Sequence, residues 1–317
     1  MTGILCLNKP KDMTSFSAVA KVRRVLSEKK AGHAGTLDPL ATGVLPVLLG
    51  GATRFLEFLP TSPKRYIAAL RLGCRTDTLD ITGTVTEEKE VTIGKKEVEA
   101  ALSSFRGDVM QVPPMYSALK KDGVRLYDLA RKGLEVKREA RPVTIFQLSL
   151  LTEEQARKQG AEMAPLKEHE FLLDISCSAG TYVRTLIDDL GQVLGTGAVM
   201  TQLVRTEVGR FTLAEAVTPA ELEAAVKDGR QHDLLCSVPE ALQNFRSVTV
   251  SGPQSVRFSN GGNLNLDRIS ALKNSGVNAE QESDYIRVFD PEQHFLGLGE
   301  CCPAKGTLEV KRIYTER

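Results

Sequence analysis

One acid stands alone in a run of small residues. It is Asp38, inside Gly32-His33-Ala34-Gly35-Thr36-Leu37-Asp38-Pro39-Leu40-Ala41-Thr42-Gly43. Three glycines and a proline in twelve residues interrupt any regular hydrogen-bond ladder, so the stretch reads as a loop. A solvated connector would be rich in Lys, Glu, Ser and Asn. Small residues around one carboxylate read instead as backbone that another molecule approaches closely, with the acid presented at the contact. An Asp-Pro turn beside a core strand, with His33 satisfied inside, leaves the same trace. Two further groups carry polar chemistry beside apolar runs: Tyr66 after Lys64-Arg65, and Arg184 at the end of Gly180-Thr181-Tyr182-Val183. Tyr66 suits either a stacking position at a rim or plain core packing.

Regular elements must hold these residues. Gly3 to Asn8 and the apolar run Val44 to Leu49 read as buried strands on either side of the loop. Thr14 caps a helix reaching Leu26, with Phe16, Val19, Val22, Val25 and Leu26 at its apolar spacing and Lys21, Arg23 and Arg24 opposite. A short helix is expected from Ala52 to Phe58, a strand over Lys64 to Leu72 and a polar turn over Arg75 to Asp80. The spacing predicts a helix from Gly94 to Phe105. An irregular segment from Gln111 follows, with a hairpin turn at Asp122-Gly123 and a short basic helix from Arg125 to Lys132. Strands are expected at Val143 to Leu151, Phe171 to Cys177 and Val199 to Val208, with a polar excursion from Glu153 to His169. Arg184 should lie in the first turn of a helix ending near Gly195. A helix over Pro219 to Lys227 is followed, past Val248, by short β-like runs suited to a small barrel.

Composition narrows the partners. Six cysteines without a C-x-x-C pair, and four scattered histidines, fit neither a disulfide framework nor a zinc site. No stretch approaches membrane-spanning length, so a cytoplasmic protein is expected. The overall charge of +1 hides an asymmetry: residues 1–75 carry a net +8 and residues 117–142 a net +4. Such patches favour a polyanionic partner over one face, although a basic solvated surface would look alike.

Six motifs in this order resemble the TruB family of tRNA pseudouridine synthases. They are Asn8-Lys9-Pro10, the stretch 32–43, Lys64-Arg65-Tyr66, Arg75-Thr76-Asp77-Thr78-Leu79-Asp80, Met115-Tyr116-Ser117-Ala118-Leu119-Lys120 and Gly180-Thr181-Tyr182-Val183-Arg184. The likeness spans residues 3 to 235. Beyond 245 it rests on position and β-like pattern alone, and the net charge of −1 over 247–317 adds nothing to it.

The resemblance implies isomerisation of uridine 55 in the TΨC loop: the C1′–N1 bond breaks, the base turns and C5 is joined to C1′. No cofactor and no metal are implied. Asp38 is then the nucleophile, a role suited to a carboxylate that is oriented and poorly solvated. Attack at C1′, attack at C6 and assistance to glycal formation are all open to it. Arg184 is its permanently charged partner. Tyr66 stacks on the flipped uracil, Tyr182 and Leu203 line its pocket, and His33 fills the space the nucleotide vacates. Lys9, Lys64 and Arg205 join the substrate-binding set, and Asp80 either orients the arginines or stabilises its own turn. The implied fold is mixed α+β: a catalytic domain over 1–240 with a mixed antiparallel sheet and a basic flap near 112–142. A small β-barrel PUA-like RNA-binding domain over 246–317 completes it. The expected partner is the T-arm stem-loop of tRNA, bound by a monomer with no obligate protein partner. Two rival readings are the same chemistry on another RNA and a noncatalytic tRNA chaperone.

Overall fold

A computed structural model describes residues 1–269 and 285–315. Its main feature is a ten-stranded mixed sheet. Along its path the strands are Leu235–Cys236, Gly3–Lys9, Thr42–Leu49, Ala198–Val208, Lys64–Leu72, Glu170–Cys177, Arg141–Leu151 and Gly107–Gln111. Ala31–His33 pairs with Thr42–Leu49, and Phe211–Thr212 with Ala198–Val208. One pairing is parallel, Thr42–Leu49 with Ala198–Val208, and the other pairings in this sheet are antiparallel. The mixed α+β class read from the sequence is the fold.

Both faces of the central strands are covered, which is why they read as unbroken apolar runs rather than as alternating ones. Leu5, Leu7, Leu45, Val47 and Leu49 face Ala18, Val19, Val22 and Leu222, on helices Ser15–Val25 and Pro219–Lys227. One residue out of phase, Ile4, Cys6, Val44 and Leu48 face Ala52, Phe55 and Phe58. That segment, Gly50–Phe58, is the expected short helix, begun two residues earlier and wound as a 3₁₀ helix. In Lys64–Leu72 the even residues Tyr66, Ala68, Leu70 and Leu72 join the cluster of Val183, Leu186, Ile187 and Leu190, from helix Val183–Val193. The odd residues Ile67 and Ala69 meet Ala156 and Ala161. The polar excursion therefore has a structural job. Its helix Glu153–Lys158, capped by Thr152, closes the second face of the sheet.

Several expectations change. Ala31–His33 is an edge strand, not loop, and the strand Gly107–Gln111, which ends where the irregular segment begins, had no expected counterpart. The helix Gly252–Ser259 had no expected counterpart. Phe16 does not join the buried stripe of helix Ser15–Val25; Ser15, Ala18, Val19 and Val22 are buried, and Phe16 is 79% exposed. The flap hairpin is as expected: Lys120 pairs with Arg125 and Lys121 with Val124. Asp122 and Gly123, at φ 51° and 81°, supply the two left-handed residues of its turn.

The C-terminal β unit is a five-stranded sheet in the order Arg246–Thr249, Tyr285–Phe289, Phe295–Cys302, Thr307–Ile313 and Leu264–Asn265. It meets the main body through an aromatic seam. The Phe55 ring lies 5.9 Å from Phe295 and 6.1 Å from Tyr314, and Phe58 stands edge-on to Tyr285 at 5.1 Å. Phe295 and Leu298 thus share a hydrophobic cluster with Ile4 and Leu48. Among the described residues, no helix is long and apolar enough to cross a membrane.

Candidate active site

The loop around Asp38 is held from three sides. At its entry, Ala31, Gly32 and His33 pair with Leu49, Leu48 and Val47. In front, the Ser15 hydroxyl accepts from Leu37 N–H at 2.8 Å and donates to its carbonyl at 3.0 Å. Behind, Arg205 is fully buried and donates from Nε to Val44 O at 2.7 Å and from Nη2 to Gly35 O at 3.0 Å. Lys9, also fully buried, donates from Nζ to Met13 O at 2.6 Å, Pro10 O at 2.8 Å and Pro39 O at 3.4 Å. Carbonyl dipoles converge on each of these buried cations and offset part of the cost of desolvating them. Lys9 and Arg205, expected to bind substrate, therefore sit beneath the loop, where they donate to backbone carbonyls of the loop and of the segments beside it.

Gly43 shows how tight this assembly is. It has φ +99°, and a Cβ there would lie 2.2 Å from the Arg205 carbonyl oxygen, its parallel-strand neighbour. Gly43→Ala should lower stability by about 2–4 kcal/mol, from left-handed strain together with a clash against immobile backbone. Thermal denaturation checks this, and an unchanged melting temperature would mean that the loop has slack.

The Asp38 carboxylate meets the Arg184 guanidinium side-on: Nε donates to Oδ2 at 2.9 Å and Nη2 to Oδ1 at 3.2 Å. Two further donors anchor the guanidinium, with Nη1 to Thr78 O at 2.9 Å and Nη2 to Tyr116 O at 2.9 Å. Arg184 is 5% exposed and Asp38 35%. The cation is thus locked inside and the acid looks outward. Asp80 combines both roles considered for it. Its Oδ1 accepts from Thr78 Oγ1 and Thr82 N–H, each at 3.0 Å, while its Oδ2 lies 4.0 Å from Arg184 Nε.

The structure brings the other expected residues to the same place, with different exposures. Tyr66 pairs across the sheet with Arg205, which in turn pairs with Gly43, so the three form one row. Tyr66 and Leu203 are buried in one cluster with Leu37, Leu40 and Val183. Burial raises the Tyr66 phenol above its ordinary pKa, with Arg205 pulling the other way. Tyr182, half-buried, is raised chiefly by burial too. Both phenols therefore stay protonated at neutral pH. His33 is lowered by burial and then by Arg205, and its buried Nδ1 has no hydrogen-bond partner among the described residues. A neutral imidazole results. Lys64 is pushed down to about 8 by burial and Arg205. Its Nζ would lie 3.1 Å from a Cβ at Gly35, so it borders the loop.

Gln111 escaped the sequence reading. It is 4% exposed, donates Nε2 to Tyr182 O at 3.1 Å and accepts Tyr182 N–H on Oε1 at 2.7 Å. This two-point grip fixes the residue that caps helix Val183–Val193, and so the origin of the Arg184 side chain. A lone amide at the end of a strand-like run, just before Val-Pro-Pro, was its only trace. The carbonyls of Thr78 and Tyr116 left none, because a backbone acceptor carries no residue type.

The chain is similar to known proteins over nearly its whole length. The family described as TruB family pseudouridylate synthase (N terminal domain) matches residues 23–183, and tRNA pseudouridylate synthase B C-terminal domain matches 184–243. The chain is 40% identical over 324 residues to tRNA pseudouridine synthase B of Cronobacter sakazakii, covering 99% of this chain and 95% of that one. It is 45% identical over 305 residues to the protein of that name from Pseudomonas paraeruginosa, covering 95% and 92%. In fold it is similar to a chain of a Cbf5–Nop10–Gar1 complex, with a TM-score of 0.73 at 22% identity over 99% of this chain and 85% of that one.

Proposed function

This chain belongs to the TruB family of pseudouridylate synthases, and we propose that it isomerises uridine 55 in the TΨC loop of tRNA with Asp38 as nucleophile. The observation that carries this reading is the outward-facing carboxylate held in a fork by a buried arginine. An isomerisation balances without a co-reactant. The N1–C1′ bond breaks, the C5–C1′ bond forms, the C5 proton leaves and N1 gains one. The enzyme therefore has to orient, shield and move protons, and no cofactor is needed.

Each role follows from a position. Asp38 attacks as a fixed, partly desolvated carboxylate, already aimed because each of the three nitrogens of Arg184 donates a hydrogen bond. Tyr66 stacks on the extruded uracil, with Tyr182 and Leu203 completing an apolar slot. At 6% exposure Tyr66 is reached only after local opening, and the flap that leans on Arg184 through the Tyr116 carbonyl is the element that yields. His33, neutral and flat, occupies the gap left by the base without adding a buried charge. Extrusion costs a few kcal/mol of stacking, which such contacts offset. Lys64 faces the RNA at the loop edge, whereas Lys9 and Arg205 act indirectly by holding the loop. We assign residues 1–240 to catalysis, with the flap at 112–142. Residues 246–317, of which 270–284 and 316–317 lie outside the described residues, form the PUA-like RNA-binding domain. The partner is the T-arm of tRNA, and the enzyme works as a cytoplasmic monomer.

The deciding experiment incubates the protein with an unmodified tRNA transcript and with an isolated T-arm stem-loop, then maps pseudouridine. Conversion of the same single uridine in both is expected. An inert stem-loop would shift recognition to the tRNA body, and conversion at other uridines would overturn the site assignment.

The flap supplies a separate prediction. Lys120, Arg125 and Arg131 are exposed, and both arginines lie over the Tyr127 ring, at 5.7 and 5.5 Å. If all three contact phosphates, replacing them together with alanine should flatten the plot of log affinity against log salt by about 2, from a contribution of roughly 0.7 each on single-stranded RNA. An unchanged slope would make the flap an ordinary solvated surface.

A further inference from the structure

The outer face of helix Ser15–Val25 carries an arrangement that catalysis at Asp38 does not use. Phe16 is 79% exposed, more than any other large apolar side chain among the described residues. Full exposure of a phenylalanine forgoes about 1.5–3 kcal/mol of burial, so its place in the fold calls for a reason. Its neighbour Ser15 grips both backbone groups of Leu37, which puts the start of the helix against the residue next to Asp38. At 100° per residue, Arg23 lies within about 20° of Phe16 and about 10.5 Å further along the axis, with the small Ala20 between them. Arg23 and Arg24 are exposed and make no ion pair among the described residues, whereas Lys21 is engaged with Glu223 at 3.1 Å. The helix has no acidic residue and no second large exposed apolar side chain.

Resting on the tRNA reading above, we infer that this face is a second RNA-binding surface: Phe16 stacks on an unpaired base near the target uridine, and Arg23 takes a backbone phosphate. An aromatic platform beside unpaired guanidinium groups is the chemistry that single-stranded RNA recognises, because any base offers a π-face and each linkage a negative charge. A protein partner would be matched by a wider apolar patch, and one ring among cations is not that. The position also suits the reaction. A base opened from the loop needs somewhere to rest while its neighbour occupies the slot at Tyr66.

The test uses full-length protein and the T-arm stem-loop. Phe16→Ser is expected to raise KM about 5- to 150-fold, the range for loss of one stacked base, with kcat and the melting temperature unchanged. Phe16→Tyr should keep the wild-type KM, and Phe16→Leu should resemble serine. Arg23→Ala should reduce the salt slope by about 0.7. An unchanged KM in Phe16→Ser, or a leucine variant as good as wild type, would overturn the inference while leaving the assigned reaction intact. Phe16→Ser lowering self-association in sedimentation would overturn it in favour of a protein contact. Failure of the wild-type enzyme on any tRNA would instead remove the reading on which it rests.

Discussion

Asparagine in place of Asp38 should reduce pseudouridine formation by at least about 10³-fold, the scale on which loss of a nucleophile is felt. tRNA affinity should stay within about tenfold, equivalent to about 1.4 kcal/mol. The two effects separate because this acid is placed for chemistry. It is the carboxylate that faces outward from a loop whose other contacts are made by buried backbone and by Lys9, Ser15 and Arg205. Asparagine keeps the size and one acceptor for Arg184, so the loop should hold its shape. Single-turnover conversion of an unmodified transcript, alongside filter binding, measures both quantities. Turnover close to wild type would remove Asp38 from the mechanism.

The second large effect is expected at Arg184. Lysine preserves the charge but cannot reproduce a fork that serves both Asp38 oxygens, the Thr78 carbonyl and the Tyr116 carbonyl together. Losing one well-placed donor in a shielded site costs about 10²–10³ in rate, and Arg184→Lys should fall in that range with a lowered melting temperature. Methionine removes every donor and leaves two carbonyls unpaired beside an unpaired acid. A broken buried pair costs about 3–5 kcal/mol, and the 35% exposure of Asp38 puts the expected loss at the lower end. Comparing kcat with thermal stability for the two variants separates aim from charge. A lysine variant with wild-type kcat would mean that a simple cation is enough.

What could be read without coordinates was whatever local spacing encodes. The buried strands at Gly3–Lys9 and Thr42–Leu49, the Thr14 cap and the Asp122-Gly123 turn each follow from residues within a few positions of one another. Asp38, Tyr66 and Arg184 were marked as a set by family resemblance, since neither their chemistry alone nor their spacing joins them. Where local pattern misled, a distant partner decided. Phe16 has the right period for a buried stripe, but Ser15 turned inward to latch Leu37 and the ring was left outside. Lys9 and Arg205 have the residue types of phosphate binders, yet neighbouring strands enclose them and they donate to backbone carbonyls inside the fold.

By itself, then, the sequence determined that a run of small residues with a single acid would connect two apolar strands, because steric and hydrophobic preferences act over a few residues. Only the tertiary structure decided that this acid would be aimed by an arginine 146 residues away. It also decided that the arginine would be held in turn by Thr78, Tyr116 and, through Tyr182, by Gln111. Those contacts are made to backbone and across sheet register. A carbonyl has no letter in the sequence, and register emerges only when whole strands choose their neighbours.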